Sequence, residues 1–182
     1  FACFVLNSEF AYDLGFLSVV IAVGVSMLCG LLIGLCHVYL KIPSFMASFA
    51  FMYICKGIGM VSYQGHPPTI KDPVITALPT TTFLGIPFIT WVAIVMFLLC
   101  FFIQEYTAFG RHIYAVGTNE NIPRSVGVSV EKVKIGVFTL AGFLFGVAGV
   151  IGAIRLGQGQ IAIGDDKMFP AQAAVVVGGT SL

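Results

Sequence analysis

The chain has 182 residues, of which 58% are hydrophobic and 9% charged, with nine Lys and Arg against eight Asp and Glu for a formal charge of +1. A soluble domain carries about 25% charged residues. So few charges cannot clothe a water-facing surface, and a mean hydropathy of +1.01 makes lipid the solvent of most of the chain. The near-zero net charge also excludes a nucleic-acid binder, which would show clustered Lys and Arg.

The chain opens at Phe1 without a Met and closes at GGTSL within an apolar run, so it reads as an internal piece of a longer protein. Its first apolar stretch, FACFVL, is too short to cross a bilayer. Leu14–Cys36 follows without a charge, bounded by Asp13 and His37. At a rise of about 1.5 Å per residue it crosses a hydrocarbon core of about 30 Å. Ala22, Ser26, Gly30 and Gly34 recur every four residues on one face of this span, and Gly30–Gly34 is a GxxxG pair suited to close helix packing. Lys41-Ile42-Pro43 predicts a tight turn, with Pro near the first helical position where its missing N–H costs little. The second span is Ile42–Tyr63. It holds one charge, Lys56, which faces a polar path, snorkels to the nearby interface or packs locally.

Gln64–Gly85 reads as loop, broken by Gly65, Pro67, Pro68, Pro73 and Pro79. The third span, Leu84–Gln104, carries Trp91 near its start, where an interfacial ring is expected. The fourth, Ile135–Ile154, has no charge. Its Gly142, Gly146, Gly149 and Ala153 fall at i, i+4, i+7 and i+11, a small-residue seam predicted to pack against protein. After Arg155 the segment LGQGQIAIGDDKMF is polar and Gly-rich, and Pro170–Leu182 turns apolar again. The expectation is an all-α polytopic transmembrane bundle, one domain over residues 1–182, with four full spans and two partial ones. Cys3, Cys29, Cys36, Cys55 and Cys100 all lie in apolar runs at no metal-ligand spacing, and read as small packing residues.

Between the third and fourth spans lies the most informative stretch, FGRHIYAVGTNENIPRSVGVSVEKVK (Phe109–Lys134). Thr118 and Asn119 can cap a short helix, Glu120 complements its dipole, and Pro123 limits its length. Gly127 is placed to end it in a left-handed conformation, and Ser129 to cap the next span. Such a polar stretch held between two spans reads as a docking loop for a partner, or else as an ordinary loop with a chance helix. Because spans alternate sides, Lys41, Arg111, Arg124, Lys132 and Lys134 share one side, against Lys71, Arg155 and Lys167 on the other. That bias puts the docking loop in the cytoplasm. On the opposite side, Gln160, Asp165 and Asp166 are candidates for contact with an external protein, or form a solvated loop.

The stretch FGRHIYAVGTNENIPRSVGVSVEKVK, the later IRLGQGQ and AAVVVGGTSL, and the earlier KIPSFMASFAFMYICKGIG together resemble the ribose-type permeases of bacterial ABC sugar importers, in order over nearly the whole chain. The resemblance implies a cytoplasmic-membrane subunit that moves a monosaccharide by alternating access. The partners it implies are a second permease subunit, a cytoplasmic ABC ATPase and an extracytoplasmic sugar-binding protein. It further implies that Phe109–Lys134 holds the helix that couples to the ATPase, with Gly110, Arg111, Gly117, Asn119, Glu120, Arg124 and Gly127 matching the family pattern. This chain departs from that pattern at Ile122-Pro123, where two alanines are usual, and at Phe169-Pro170-Ala171-Gln172, where an acidic residue is common. A branched-chain amino-acid permease shares the architecture, although IRLGQGQ and NENIPRSVGV lean towards sugar.

No G-x-x-x-x-G-K-[ST] phosphate loop is present, so ATP is expected on the partner and no cofactor or metal on this chain. His37, His66 and His112 are far apart in sequence and form no visible catalytic constellation. A secondary transporter would want ionisable groups within its spans for ion coupling, and the four spans offer only Lys56.

Overall fold

The computed structural model describes residues 16–63, 82–83, 85–118, 127–162 and 164–178. They form six helices: α1 (Phe16–Tyr39), α2 (Ser44–Tyr63), α3 (Phe88–Tyr106), α4 (Ala108–Thr118), α5 (Val130–Leu156) and α6 (Asp165–Val177). A two-residue antiparallel ladder, Thr82–Phe83 on Ile86–Pro87, precedes α3. Four of the helices are long and apolar enough to cross a membrane: α1, α2, α3 and α5. The protein is thus an all-α polytopic bundle, with α4 and α6 as its shorter helices. FACFVL, most of the Gln64–Gly85 loop and the final GTSL lie outside the described residues.

The span boundaries shift at the polar ends, where helix propensity and turn chemistry outweigh hydropathy. Helix α1 runs on past His37 to Tyr39, and Ile42 and Pro43 stay in the turn, so α2 begins at Ser44. The third helix starts at Phe88 rather than Leu84, because Ile86 and Pro87 pair as a strand around Gly85 at φ +76°. Helix α5 starts at Val130 rather than Ile135 and takes Glu131, Lys132 and Lys134 into its first turns. Its far end closes on Gly157, whose left-handed φ of +65° lets its N–H reach the Ile154 carbonyl at 3.2 Å. At the α1–α2 turn Lys41 adopts a left-handed φ of 55°, and the His37 Nδ1–H donates to the Ile42 carbonyl at 2.8 Å across the same turn.

Among the described residues, α1 and α5 pack closely along much of their length. A Cβ built on Gly30 would stand 2.4 Å from the Phe138 carbonyl oxygen and 2.9 Å from the Gly142 Cα, so the two backbones touch. One on Gly146 would meet the Ser26 Cβ at 2.9 Å and the Val23 Cα at 3.1 Å, and one on Gly34 would meet the Ile135 Cα at 3.2 Å. Contacts that climb α1 therefore descend α5, and the pair is antiparallel, as alternating spans require. Ser26 Oγ donates to the Gly142 carbonyl at 2.8 Å across this contact. Ala22, Val150 and Ala153 are buried and extend it. Gly149 does not belong to the seam: it is exposed, with open space where a Cβ would be, and Val150 takes the inward position. The contact instead follows the i, i+4, i+8 row of Gly142, Gly146 and Val150, all buried. Helix α3 has no buried residue and shows Phe97 and Phe102 to its surroundings, as an apolar helix can in lipid but not in water.

Two outcomes follow for thermal unfolding in detergent. Gly142→Leu should lower the midpoint sharply, because a side chain forced between touching backbones costs about 1–3 kcal/mol or more. Gly149→Leu in the same helix should leave it unchanged or raised. Ser26→Ala should cost about 0.6 kcal/mol, up to about 1.7, the range for hydrogen bonds between membrane helices.

Candidate functional site: an amphipathic helix between the third and fourth spans

The polar stretch between the third and fourth spans is not loop throughout. Its first half is α4, an amphipathic helix that starts one residue after α3 ends. The break falls on Thr107, extended at φ −102° and ψ 154°. Its hydroxyl serves both helices. It donates to the Ile103 carbonyl at 2.5 Å in the last turn of α3, and accepts the Gly110 N–H of α4 at 3.2 Å. This is an N-cap bond in the preferred geometry for Thr. Sequence reasoning began the region at Phe109 and missed Thr107, although a Thr three residues before Gly110 is the signal that could have found it.

Gly110 is buried at this corner. A Cβ there would lie 2.0 Å from the Gln104 carbonyl oxygen and 2.6 Å from that of Ile103. No side chain fits, so the sharp turn from α3 into α4 requires glycine at this position. Gln104 Nε2 also donates to the Tyr114 hydroxyl, a second tie between the two helices.

The apolar face of α4 rests on the start of α5. The Phe109 ring lies where a Cβ on Gly136 would come within 2.8 Å, so Gly136 makes room for it. Ile113 and Val116 stand beside Val133 and Val137 one to two turns along. An apolar cleft of about 360 Å³ opens beneath, lined by Met27, Ile103, Phe109 and Phe143 among others. The opposite face of α4 is exposed and carries Arg111 and Tyr114, with His112 half-buried at the edge. His37, at the end of α1, packs against Phe138 of α5 with ring centroids 5.6 Å apart and the rings tilted by 56°. The Lys41 turn, α4 and the first turns of α5 therefore share one end of the bundle, and Lys41, Arg111, Lys132 and Lys134 lie there.

The remaining expected docking residues divide as follows. Gly117 is exposed near the end of α4, with nothing within 4 Å of a Cβ. The helix that Thr118 is expected to cap falls on residues 119–126, outside the described residues. Thr118 itself is the last residue of α4, and its hydroxyl bonds back to the Tyr114 carbonyl at 3.0 Å. Gly127 has φ +83°. Ser129 occupies the N-cap position of α5, but its side chain makes no cap bond. Its carbonyl accepts the Val133 N–H instead, at 3.3 Å. Asn119, Glu120, Ile122, Pro123 and Arg124 lie outside the described residues.

At the other end, Gln160 is exposed and Asp165 opens α6. Asp166 follows in the same helix. Asp165 Oδ2 accepts from Lys56 Nζ of α2 at 2.8 Å. None of the roles weighed for Lys56, path-facing, snorkelling or local packing, named an ion pair to a helix so far along the chain. Among the described residues Cys29, Cys36, Cys55 and Cys100 are free thiols, and no group of three His, Cys, Asp or Glu is placed to hold a metal ion.

Similarity to known proteins agrees with this architecture. The chain is 37% identical over 142 residues to the probable ABC transporter permease protein YphD of Escherichia coli, covering 78% of this chain and 43% of that protein. It is 38% identical over 146 residues to the ribose import permease protein RbsC of Haemophilus influenzae, covering 78% of this chain and 45% of that protein. With the L-arabinose transport system permease protein AraH of E. coli it shares 32% identity over 143 residues, covering 79% and 44%. The chain thus spans less than half the length of these relatives. No solved structure matches it. The family described as the permease component of branched-chain amino acid transport systems matches residues 1–182, and the chain belongs to that family of multi-pass membrane permeases.

Proposed function

We propose that the chain is part of the permease subunit of an ATP-driven importer, and that it carries a monosaccharide across the bacterial cytoplasmic membrane by alternating access. The observation that carries this reading is α4, an amphipathic helix fixed to the membrane face through Thr107 and Gly110 with its polar side outward. A lever needs such rigidity. A helix free to swivel on a flexible linker would absorb a push, whereas one clamped to two spans passes it on. The relatives named for a sugar (ribose, arabinose, and xylose in another member) support a pentose-like cargo. The family description supports a second reading, a branched-chain amino acid.

In the proposed cycle, ATP binding closes a cytoplasmic ATPase dimer that holds α4 and the residues after it. Arg111, Glu120 and Arg124 supply charged contacts, and Gly117, Asn119 and Gly127 shape the backbone between them. The motion passes through the α3–α4 corner into α3, and through Phe109 and Gly136 into α5. Helix α1 follows α5 because their backbones touch. A second permease subunit completes the path, and an extracytoplasmic binding protein delivers cargo, with Gln160 and Asp166 on that side. The chain itself is a transport subunit and not an enzyme, so ATP hydrolysis belongs to the partner.

Co-purification of the full-length protein with its ATPase tests the docking surface. Glu120→Ala and Arg124→Ala should each weaken binding by about 1–2 kcal/mol, the loss expected on truncating a charged contact at an interface centre. Gly110→Val should leave ATPase binding measurable but abolish ATP-driven uptake, because it opens the α3–α4 corner without touching the polar face. Uptake of labelled ribose against labelled leucine by the assembled importer decides between the two cargoes. Leucine import without ribose import would replace the sugar reading.

A further inference from the structure

The ion pair between Lys56 and Asp165 stands apart from the docking end and calls for its own account. Lys56 lies within the candidate span Ser44–Val61, about 10 Å before the end of α2 at helical rise. Asp165 reaches it because the chain after α5 comes close to α2. Residues 157–162 leave the helix, and the Ile161 side chain lies 3.8 Å from a Cβ built on Gly59 of α2. Helix α6 then starts at Asp165, beside Lys56.

Two costs apply at that depth. Charged side chains within a span almost never face lipid, and non-helical backbone is tolerated there only inside protein or beside a water-filled cavity. Here Lys56 lies within the candidate span, and the non-helical Ile161 lies against Gly59 near its end. Nor is the pair sealed within the described residues, since the Lys56 side chain is 29% exposed and that of Asp165 52%. One turn before Lys56, Tyr53 turns 63% of its surface outward, with its ring centroid 6.0 Å from Lys56 Nζ.

The geometry points to a cargo-binding position on a water-filled path, formed by Tyr53, Lys56 and Asp165 and suited to a neutral polyhydroxylated ring. The ammonium offers donors, the carboxylate offers only acceptors, and a sugar hydroxyl satisfies either. The flat ring of Tyr53 offers an apolar face to the C–H face of the same ligand. A pair already neutralised by its own partner favours no charge on the cargo. It therefore suits a sugar better than the zwitterionic head of an amino acid, which would compete for both members of the pair. This position rests on the importer reading above and extends it from the ATPase end to the cargo.

The test uses the full-length permease assembled with its ATPase and binding protein in membrane vesicles. Tyr53→Cys, in a background with the native cysteines replaced by Ser, should react with a charged, membrane-impermeant methanethiosulfonate, and D-ribose should slow that reaction. In the native background, Lys56→Gln and Asp165→Asn should each raise the half-saturating ribose concentration about tenfold while changing the maximal uptake rate much less, as loss of a charged hydrogen bond to bound ligand predicts. A purely structural tie between α2 and α6 would instead be restored by the exchange Lys56→Asp with Asp165→Lys at unchanged ribose affinity, and that result overturns the proposal. So does an unreactive Tyr53→Cys, or labelling that ribose does not slow, in vesicles that import ribose. If the unsubstituted assembly imports no sugar, the importer reading fails first, and this position with it.

Discussion

The contact between α1 and α5 is the constraint on which the other arrangements depend. In lipid no hydrophobic drive brings two apolar helices together, because hydrocarbon tails are as apolar as Leu. Close packing and interhelical polar bonds must do it. Gly30 and Gly142 remove the side chains that would hold the backbones apart, and the Ser26 hydroxyl then reaches the Gly142 carbonyl. Once α5 lies along α1, its first turns present Val133, Gly136 and Val137 to α4. The placement of α4 thus derives from the contact between α1 and α5 further along the bundle.

The corner between α3 and α4 shows how a membrane protein can change direction sharply without stranding backbone groups. A helix end leaves carbonyls unsatisfied and a helix start leaves N–H groups unsatisfied. With only Thr107 between the two, one hydroxyl donates to an end and accepts from a start. Gly110 allows the approach that this sharing demands, because its missing Cβ is the space occupied by the Gln104 carbonyl. The two residues therefore act as one device, and a change at either would loosen the angle at which α4 leaves the membrane.

The two ends of the bundle have different electrostatic character. One gathers Lys41, Arg111, Lys132 and Lys134 around α4, at a surface open to water, where single charges cost little. At the other end Lys56 is paired with Asp165 within the reach of the hydrocarbon core. An exposed ion pair in water is worth about 0–1 kcal/mol, so it would not order a helix by itself. In a membrane the same pair decides which face of α2 can meet lipid. The approach of Ile161 to Gly59 of α2 follows the same logic, since non-helical backbone needs partners that lipid cannot supply.

The amino-acid sequence by itself determined the number and approximate position of the spans, the polar stretch between the third and fourth, and the family. Each of these depends on local composition or on residue order: uncharged runs of sufficient length, breaks at Pro and Gly, and a run of residues characteristic of the family. It also placed Gly30, Gly34, Gly142 and Gly146 on single faces, because helical periodicity is local. Tertiary structure alone decided that those two faces meet, that Val150 and not Gly149 continues the seam, and that α4 is helix where hydropathy suggested loop. It alone joined Lys56 to Asp165, 109 residues apart. A residue's preference for lipid or water can be read from the residue itself. Which partner relieves a buried carbonyl, a missing Cβ or an intramembrane charge depends on chain brought near from elsewhere, and no local pattern carries that information.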